Sequence, residues 1–155
     1  MQAGVEYGAS GFLNTDWGDN GHWQPLPTSY LGFAYGAAVS WYCAGNETMD
    51  LPAALDRFVF HDAAGVMGQT VYDLGNIYKR VGPEHVNGLS LAYLLQVPRN
   101  GFDDAIQRMT EWGGAVPDTS QETLRNVITQ IDALIYAMGQ HKMQRADADL
   151  IVHEF

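Results

Sequence analysis

The sequence predicts a mostly α-helical chain that begins with a single strand–loop–helix unit. Residues 46–155 carry all eight lysine and arginine residues and place apolar side chains at helical spacing. Residues 1–45 contain no lysine or arginine and are rich in aromatic residues and glycine. One short apolar run, residues 11–15, is typical of a buried strand. We therefore expect two parts, residues 1–45 and a helical domain over residues 46–155.

The first part is expected to contain one β-strand and one helix. The strand covers residues 11–15, a glycine-containing loop follows, and apolar residues return at helical spacing over residues 28–41. A lone strand would have two unpaired edges. The partner strands are therefore expected upstream, in a part of the protein outside this chain.

The second part is expected to be helical throughout. Asp50 is a suitable N-cap for a helix that begins at Leu51, and Thr119 with Glu122 matches a capping box. The chain ends inside an apolar run, which favours truncation at the C-terminus. The other predicted helices cover residues 63–81, 89–96, 102–112 and 146–155.

The composition excludes several classes of partner and site. The net charge of −10 repels a phosphate backbone and an anionic membrane surface, so neither nucleic acid nor a membrane is expected as a partner. The one cysteine, Cys43, excludes an intrachain disulfide and disfavours a thiolate zinc site. It follows an apolar run and is predicted to be a buried, inert thiol. No cofactor and no metal are predicted.

Residues 15–24 form the candidate site, because their residue types suit a sugar. An indole offers an apolar face to a pyranose ring together with one N–H donor. A carboxylate accepts charge-assisted bonds from hydroxyl groups, and neutral polar side chains add donors and acceptors. The loop supplies these groups in Asp16, Trp17, Asp19, Asn20, His22, Trp23 and Gln24.

Other roles remain open for these residues. Asp16 can anchor the loop by accepting bonds from backbone amides, Trp23 can be a packing residue, and His22 can be structural. Asp16 and Asp19 lack the ligand spacing of an EF-hand, and no second histidine or cysteine lies at ligand spacing from His22. The two acids are also a candidate catalytic acid and base.

The chain resembles glycoside hydrolase family 20, the β-N-acetylhexosaminidases, and most closely the bacterial subgroup with a helical domain after the barrel. The resemblance covers nearly the whole chain, and it is specific in the loop and weakly specific in the helices. The residues that carry it are 11–27, Ser29, Tyr30 and 37–41, with 73–78 and 147–151 in the helical part.

The resemblance implies that residues 11–15 are the eighth strand of a (β/α)8 barrel. It also implies that Trp17 forms part of the pocket wall and that Asp19 bonds the 4- and 6-hydroxyls of the terminal sugar. Many relatives have glutamate at the position of Asp19. Asp16, His22 and Trp23 belong to the subgroup's motif as pocket or supporting residues.

The family removes terminal non-reducing N-acetylhexosamine, GlcNAc or GalNAc, by substrate-assisted retaining hydrolysis. An Asp-Glu pair orients the acetamido group and protonates the leaving oxygen. No Asp-Glu dipeptide occurs in this chain, so no catalytic residue is assigned to it. The expected partners are an N-acetylhexosamine-containing glycan and the N-terminal barrel part of the same protein. The alternative hypothesis is a non-catalytic carbohydrate-binding or helical interaction protein.

Overall fold

The computed structural model describes residues 1–17, 23–82, 89–111 and 116–155. These residues are mostly helical, which confirms the predicted class. Their β pairing is limited to one isolated antiparallel bridge between Asp62 and Met143. None of their helices is both long enough and apolar enough to cross a bilayer. The α-helices are α1 Gln2–Glu6, α2 Tyr30–Trp41, α3 Cys43–Asn46, α4 Leu51–Leu55, α5 Met67–Asn76, α6 Ser90–Leu95, α7 Phe102–Glu111, α8 Gln121–Met138 and α9 Ala148–Glu154.

The predicted strand over residues 11–15 is absent, since this segment is irregular and exposed. A strand exists through hydrogen bonds to a neighbouring strand, and the described residues provide none beside this segment. A side chain of this segment instead bonds a helix, because the Asn14 amide donates to the Gly32 carbonyl at 3.0 Å.

The described residues form two compact units. One joins Met1–Tyr72 with Tyr136–Phe155, and the other is Asp73–Ile135. The predicted boundary after residue 45 lies inside the first unit. That division, which the change in composition and the family resemblance both indicate, stays a prediction.

The first unit has a hydrophobic core that draws on widely separated parts of the sequence. Leu55, Phe60 and Met67 are each 0% exposed, and Ile151 from α9 joins them. Tyr30 from α2 packs against the same core and is tilted toward the Phe60 ring, with centroids 6.2 Å apart. The core therefore joins the N-terminal helices to the C-terminal helix.

The helix that begins at Leu51 is confirmed together with its cap, because the Asp50 side chain accepts from Ala53 N–H at 3.0 Å. The α-helix continues as a π-helix over Asp56–Phe60. His61 ends it in the left-handed region at φ 51°, where a short polar side chain is tolerated more readily than a β-branched one.

A buried carboxylate, Asp62, organises the segment that follows. Its two oxygens accept bonds from the backbone N–H groups of four residues: Ala64 at 3.1 Å, Val66 at 3.0 Å, Met67 at 3.1 Å and Lys142 at 2.6 Å. This loop occupies residues 63–66, so the helix predicted over 63–81 begins only at Met67. Burial acts to raise the pKa of Asp62, but these amide donors outweigh it and the pKa is lowered.

Asp56 lies close to Asp62 and has the opposite shift. Burial raises the pKa of Asp56, and the negative charge of Asp62 raises it further. The bond from the Gly68 amide at 2.7 Å acts to lower this pKa but does not cancel the rise. Only glycine fits at position 68 beside Asp56, because a Cβ there would lie 2.0 Å from the Pro52 carbonyl oxygen. The glycine lets α5 approach the first turn of α4.

The second unit has a small core between α6 and α7, formed by Leu94, Ala105 and Met109. The predicted helices over 89–96 and 102–112 are confirmed as Ser90–Leu95 and Phe102–Glu111. The predicted capping box of Thr119 and Glu122 is wrong. Ser120 Oγ accepts from Thr123 N–H at 3.2 Å instead, and Asp118 accepts from Ser120 N–H at 2.9 Å. The turn before α8 is therefore closed by the two residues that flank Thr119.

Gly68→Ala should lower the free energy of unfolding by about 2–3 kcal/mol, because the added Cβ meets backbone that must move. Gly75→Ala is the matched control in the same helix. A Cβ there meets nothing within 4 Å, and alanine should stabilise the helix by about 0.5–1 kcal/mol. Urea denaturation of both variants measures the difference. Equal effects would contradict the close approach of α4 and α5.

Asp62→Asn should lower the free energy of unfolding by about 2–3 kcal/mol at pH 7, because an amide turns N–H groups toward backbone donors. Since its folded-state pKa is lowered, the Asp62 carboxylate stabilises the fold above its unfolded pKa of about 3.9. This contribution is lost as the pH falls through the lower, folded-state pKa.

As the pH falls below about 4, the pKa of an unfolded aspartate, the variant should therefore lose less stability than the wild type. Urea denaturation at a series of acidic pH values measures this difference. Asp132→Asn, on the exposed side of α8, is the control and should leave stability nearly unchanged at pH 7. If the free energy of unfolding falls equally steeply in acid for Asp62→Asn and wild type, the Asp62 carboxylate is not the source of the pH dependence.

Candidate functional site

The candidate site is the loop over residues 15–24. Asp16, Trp17 and Trp23 belong to its described parts. The predicted sugar contact Asp19 and the predicted supporting residue His22 lie outside the described residues. The described part of the site consists of the two ends of the loop and the helix that follows it.

Asp16 joins the two ends of the loop to the start of α2. The Ser29 hydroxyl donates to Oδ2 of Asp16 at 2.6 Å, and the Gln24 amide donates to Oδ1 at 3.4 Å. An anchoring role was one expectation for Asp16, with backbone amides as donors. Two of its donors are side chains, one at the end of the loop and one directly before the helix.

The residues before Asp16 lie against the same helix. Asn14 donates to the Gly32 carbonyl at 3.0 Å, one turn into α2. A Cβ at Gly36 would lie 2.5 Å from the Asn14 amide nitrogen, so glycine at this position leaves room for the Asn14 side chain. The segment entering the loop is thus fixed on α2 at two successive turns.

The two indoles at the ends of the loop are open to solvent. Trp17 is 73% exposed and Trp23 is 75% exposed. Tryptophan is highly buried on average in folded proteins, so an indole exposed at each end of one short loop is unusual. The packing role expected as one alternative for Trp23 stays a prediction, and three quarters of its side chain is open to solvent.

A cavity of about 290 Å³ lies at the base of the loop. Asp16 is the only acidic or basic side chain among the described residues that line it. Its wall also contains the Phe33 ring and neutral polar side chains. The polar members are Asn14, Thr15, Gln24, Thr28 and Ser29.

Sequence reasoning missed Ser29 and Asn14 as parts of this site. Serine directly before a helix is a common capping residue, and this signal could have drawn attention to Ser29. Its hydroxyl bonds Asp16 and makes no cap bond to the helix backbone. The contact between Asn14 and Gly32 crosses 18 residues and has no local signature.

A larger cavity of about 560 Å³ lies between α1 and α2, away from this loop. Tyr35 and Glu47 line it, and the Tyr35 hydroxyl donates to the Glu47 carbonyl at 3.2 Å. The Glu47 carboxylate accepts from the Gln2 amide. Cys43 also lines it and is half-buried, less buried than expected.

The local charge is negative, since residues 1–45 hold three carboxylates and no lysine or arginine. A cation from the C-terminal segment contacts α2, because the Arg145 guanidinium lies 5.9 Å from the centre of the Tyr30 ring. That cation is engaged by Asp147 at 2.8 Å. Among the described residues, no three histidine, cysteine or acidic side chains gather as a metal site.

The described ends of the loop can therefore present two aromatic faces from a base held by a carboxylate. Comparisons of the chain with protein-family models, with curated proteins and with solved structures found no match.

Proposed function

We propose that this chain supplies part of the sugar pocket of a glycoside hydrolase that removes terminal N-acetylhexosamine. In this proposal residues 1–45 end a (β/α)8 barrel and residues 46–155 form the helical domain that follows it. The proposal draws on the similarity of residues 11–27 to family 20. Trp17 forms pocket wall, and Asp19 accepts bonds from the 4- and 6-hydroxyls of the sugar.

The observation that carries the proposal is the exposure of Trp17 and Trp23 at the ends of one polar, glycine-containing loop. An indole face that is already exposed gives up few protein contacts when it binds a pyranose, and it gains apolar contact with the C–H face of the sugar. A hydrogen-bonded carboxylate, Asp16, holds the base between them. This combination suits a neutral, hydroxyl-rich ligand better than it suits an anion, because the local charge is negative.

The apolar surface of residues 1–45 also supports the barrel part of the proposal. Large apolar side chains are exposed along this segment, and Trp41 at the end of α2 is 90% exposed. A surface of this kind usually packs against protein or a ligand. The other exposed members include Tyr7, Phe12, Leu13, Leu26 and Tyr42.

The proposed reaction needs groups that this chain does not contain. The family's Asp-Glu pair has no counterpart here, because no aspartate is followed by a glutamate anywhere in the 155 residues. The rest of the barrel supplies that pair in this proposal. Trp17 and Asp19 bind the sugar while the acetamido oxygen of the substrate attacks the anomeric carbon.

The second candidate is a non-catalytic carbohydrate-binding protein, and the closed core of the first unit favours it. Leu55, Phe60 and Met67 are fully buried by residues of this chain alone. A chain with such a core can fold and present the loop without a barrel. A helical fold is common to both candidates, so a separate test is needed to tell them apart.

The reading frame upstream of the codon for Met1 separates the two candidates. The glycosidase proposal expects an in-frame barrel sequence that contains an Asp-Glu pair. A stop codon and a ribosome-binding site directly upstream would contradict it. Cooperative melting of the 155-residue chain as a monomer that binds N-acetylglucosamine would instead support the binding protein.

Asp19→Ala in the protein encoded by the complete reading frame should reduce kcat/KM on a GlcNAc glycoside. The loss of a charge-assisted bond to the sugar corresponds to about 1.5–3 kcal/mol, or roughly ten- to hundredfold. Asp132→Ala removes a carboxylate from exposed helix surface and is the control, with kcat/KM expected to stay unchanged. Equal activity in Asp19→Ala and wild type would remove Asp19 from the pocket.

A further inference from the structure

Three points of the chain meet at one carboxylate. Asp16 lies at the start of the loop, Gln24 at its end, and Ser29 directly before α2. The bond to Gln24 spans eight residues and the bond to Ser29 spans thirteen. We call these three residues the neck of the loop. Any movement of one end of the loop relative to the other must break or stretch a bond in the neck.

The polar groups around the neck are already bonded to protein. The Asn14 amide donates to the Gly32 carbonyl, and the Thr28 hydroxyl donates to the Pro25 carbonyl at 2.8 Å. Asp16 accepts from both of its partners in the neck. The cavity beside it is therefore walled by groups that hold the chain together. Hydroxyls of a ligand would compete with those bonds, which favours a supporting role for this cavity.

We propose that Asp16 is a positioning residue. Its bonds to Gln24 and Ser29 set where Trp17 and Trp23 lie relative to α2. The inference rests on the proposed function for its purpose, because the indoles placed in this way are the ones that would face the sugar. Asp16 itself does not touch the sugar. Its action passes through the neck to the residues directly beside it in sequence.

The physical basis is that each indole adjoins a residue of the neck. Trp17 follows Asp16 and Trp23 precedes Gln24, so each has little backbone freedom while the bonds persist. A hydroxyl donating to a carboxylate makes one of the stronger hydrogen bonds in proteins, and the 2.6 Å distance to Ser29 is typical of that class. The start of α2 thus serves as a fixed base, because Tyr30 packs on the core of the first unit.

The test is fluorine NMR of the 155-residue chain labelled with fluorotryptophan. Asp16→Ala removes the acceptor of both bonds, and Ser29→Ala removes one donor. Thr28→Ala is the matched control, because it deletes the neighbouring hydroxyl, which bonds Pro25 and not Asp16. Trp41 at the far end of α2 is the internal reference, and Trp→Phe substitutions assign the signals.

Both neck variants should shift or broaden the signals of Trp17 and Trp23 and leave that of Trp41 unchanged, while Thr28→Ala leaves all three unchanged. General loss of structure would instead lower the helical circular dichroism signal of the variant. If Asp16→Ala does not fold, Ser29→Ala still decides the result. Wild-type signals for both indoles in Ser29→Ala, or an equal effect of Thr28→Ala, would overturn the proposal.

Kinetics of the protein encoded by the complete reading frame separate this inference from the proposed function. Ser29→Ala should raise KM for a GlcNAc glycoside about tenfold with a smaller change in kcat. Thr129→Ala, which removes an exposed hydroxyl from α8, should change neither. If Ser29→Ala displaces the indoles in the NMR spectrum but leaves KM unchanged, the neck does not act on sugar binding and the link between them is overturned. A wild-type protein without glycosidase activity contradicts the proposed function, and the NMR result then decides the positioning role by itself.

Discussion

The buried carboxylate of Asp62 is the interaction on which the first compact unit depends. It accepts from amides of the segment between α4 and α5 and from Lys142, which is 80 residues away in sequence. This connection brings the C-terminal segment beside α4, where Ile151 completes the core with Leu55 and Phe60. Without the carboxylate, buried amides on two distant segments would lose their acceptor, at a cost that a small domain cannot easily bear.

The candidate site depends on that core through α2. Tyr30, Leu31 and Ala34 pack against it from the first turns of the helix. Arg145 adds a second connection, since its guanidinium lies over the Tyr30 ring and donates to the Val59 carbonyl. The first turns of α2 therefore have a defined position in the unit. The loop is attached to those turns by Asp16 and Asn14, so its orientation follows from the core.

Local sequence signals predicted the helices well, and contacts between distant residues account for the late start of α5 and the missing strand. The Asp50 cap and the helices α6 and α7 depend on residues a few positions apart, and their predictions are confirmed. The late start of α5 at Met67 could not be predicted, because the partner of its preceding loop is Lys142. The predicted strand over residues 11–15 had the right residue types but lacks a neighbouring strand among the described residues.

The site was predictable to the same extent. Residue types indicated Asp16, Trp17 and Trp23 as candidates, because carboxylates and indoles in a glycine-containing loop have a recognisable chemistry. The sequence could not identify Ser29 and Asn14 as their supports, since those contacts cross thirteen and eighteen residues. Residue identity thus led to the prediction of a sugar ligand, while only the fold indicated what supports the described ends of the loop.

The most direct test of the proposed sugar pocket is a crystal structure of the protein encoded by the complete reading frame with N-acetylglucosamine bound. The account predicts the Trp17 indole against the sugar ring and the Asp19 carboxylate within hydrogen-bonding distance of the 4- and 6-hydroxyls. Asp16 should remain bonded to Ser29, away from the sugar. A sugar bound elsewhere on the protein, with Trp17 and Asp19 both out of contact, would contradict it.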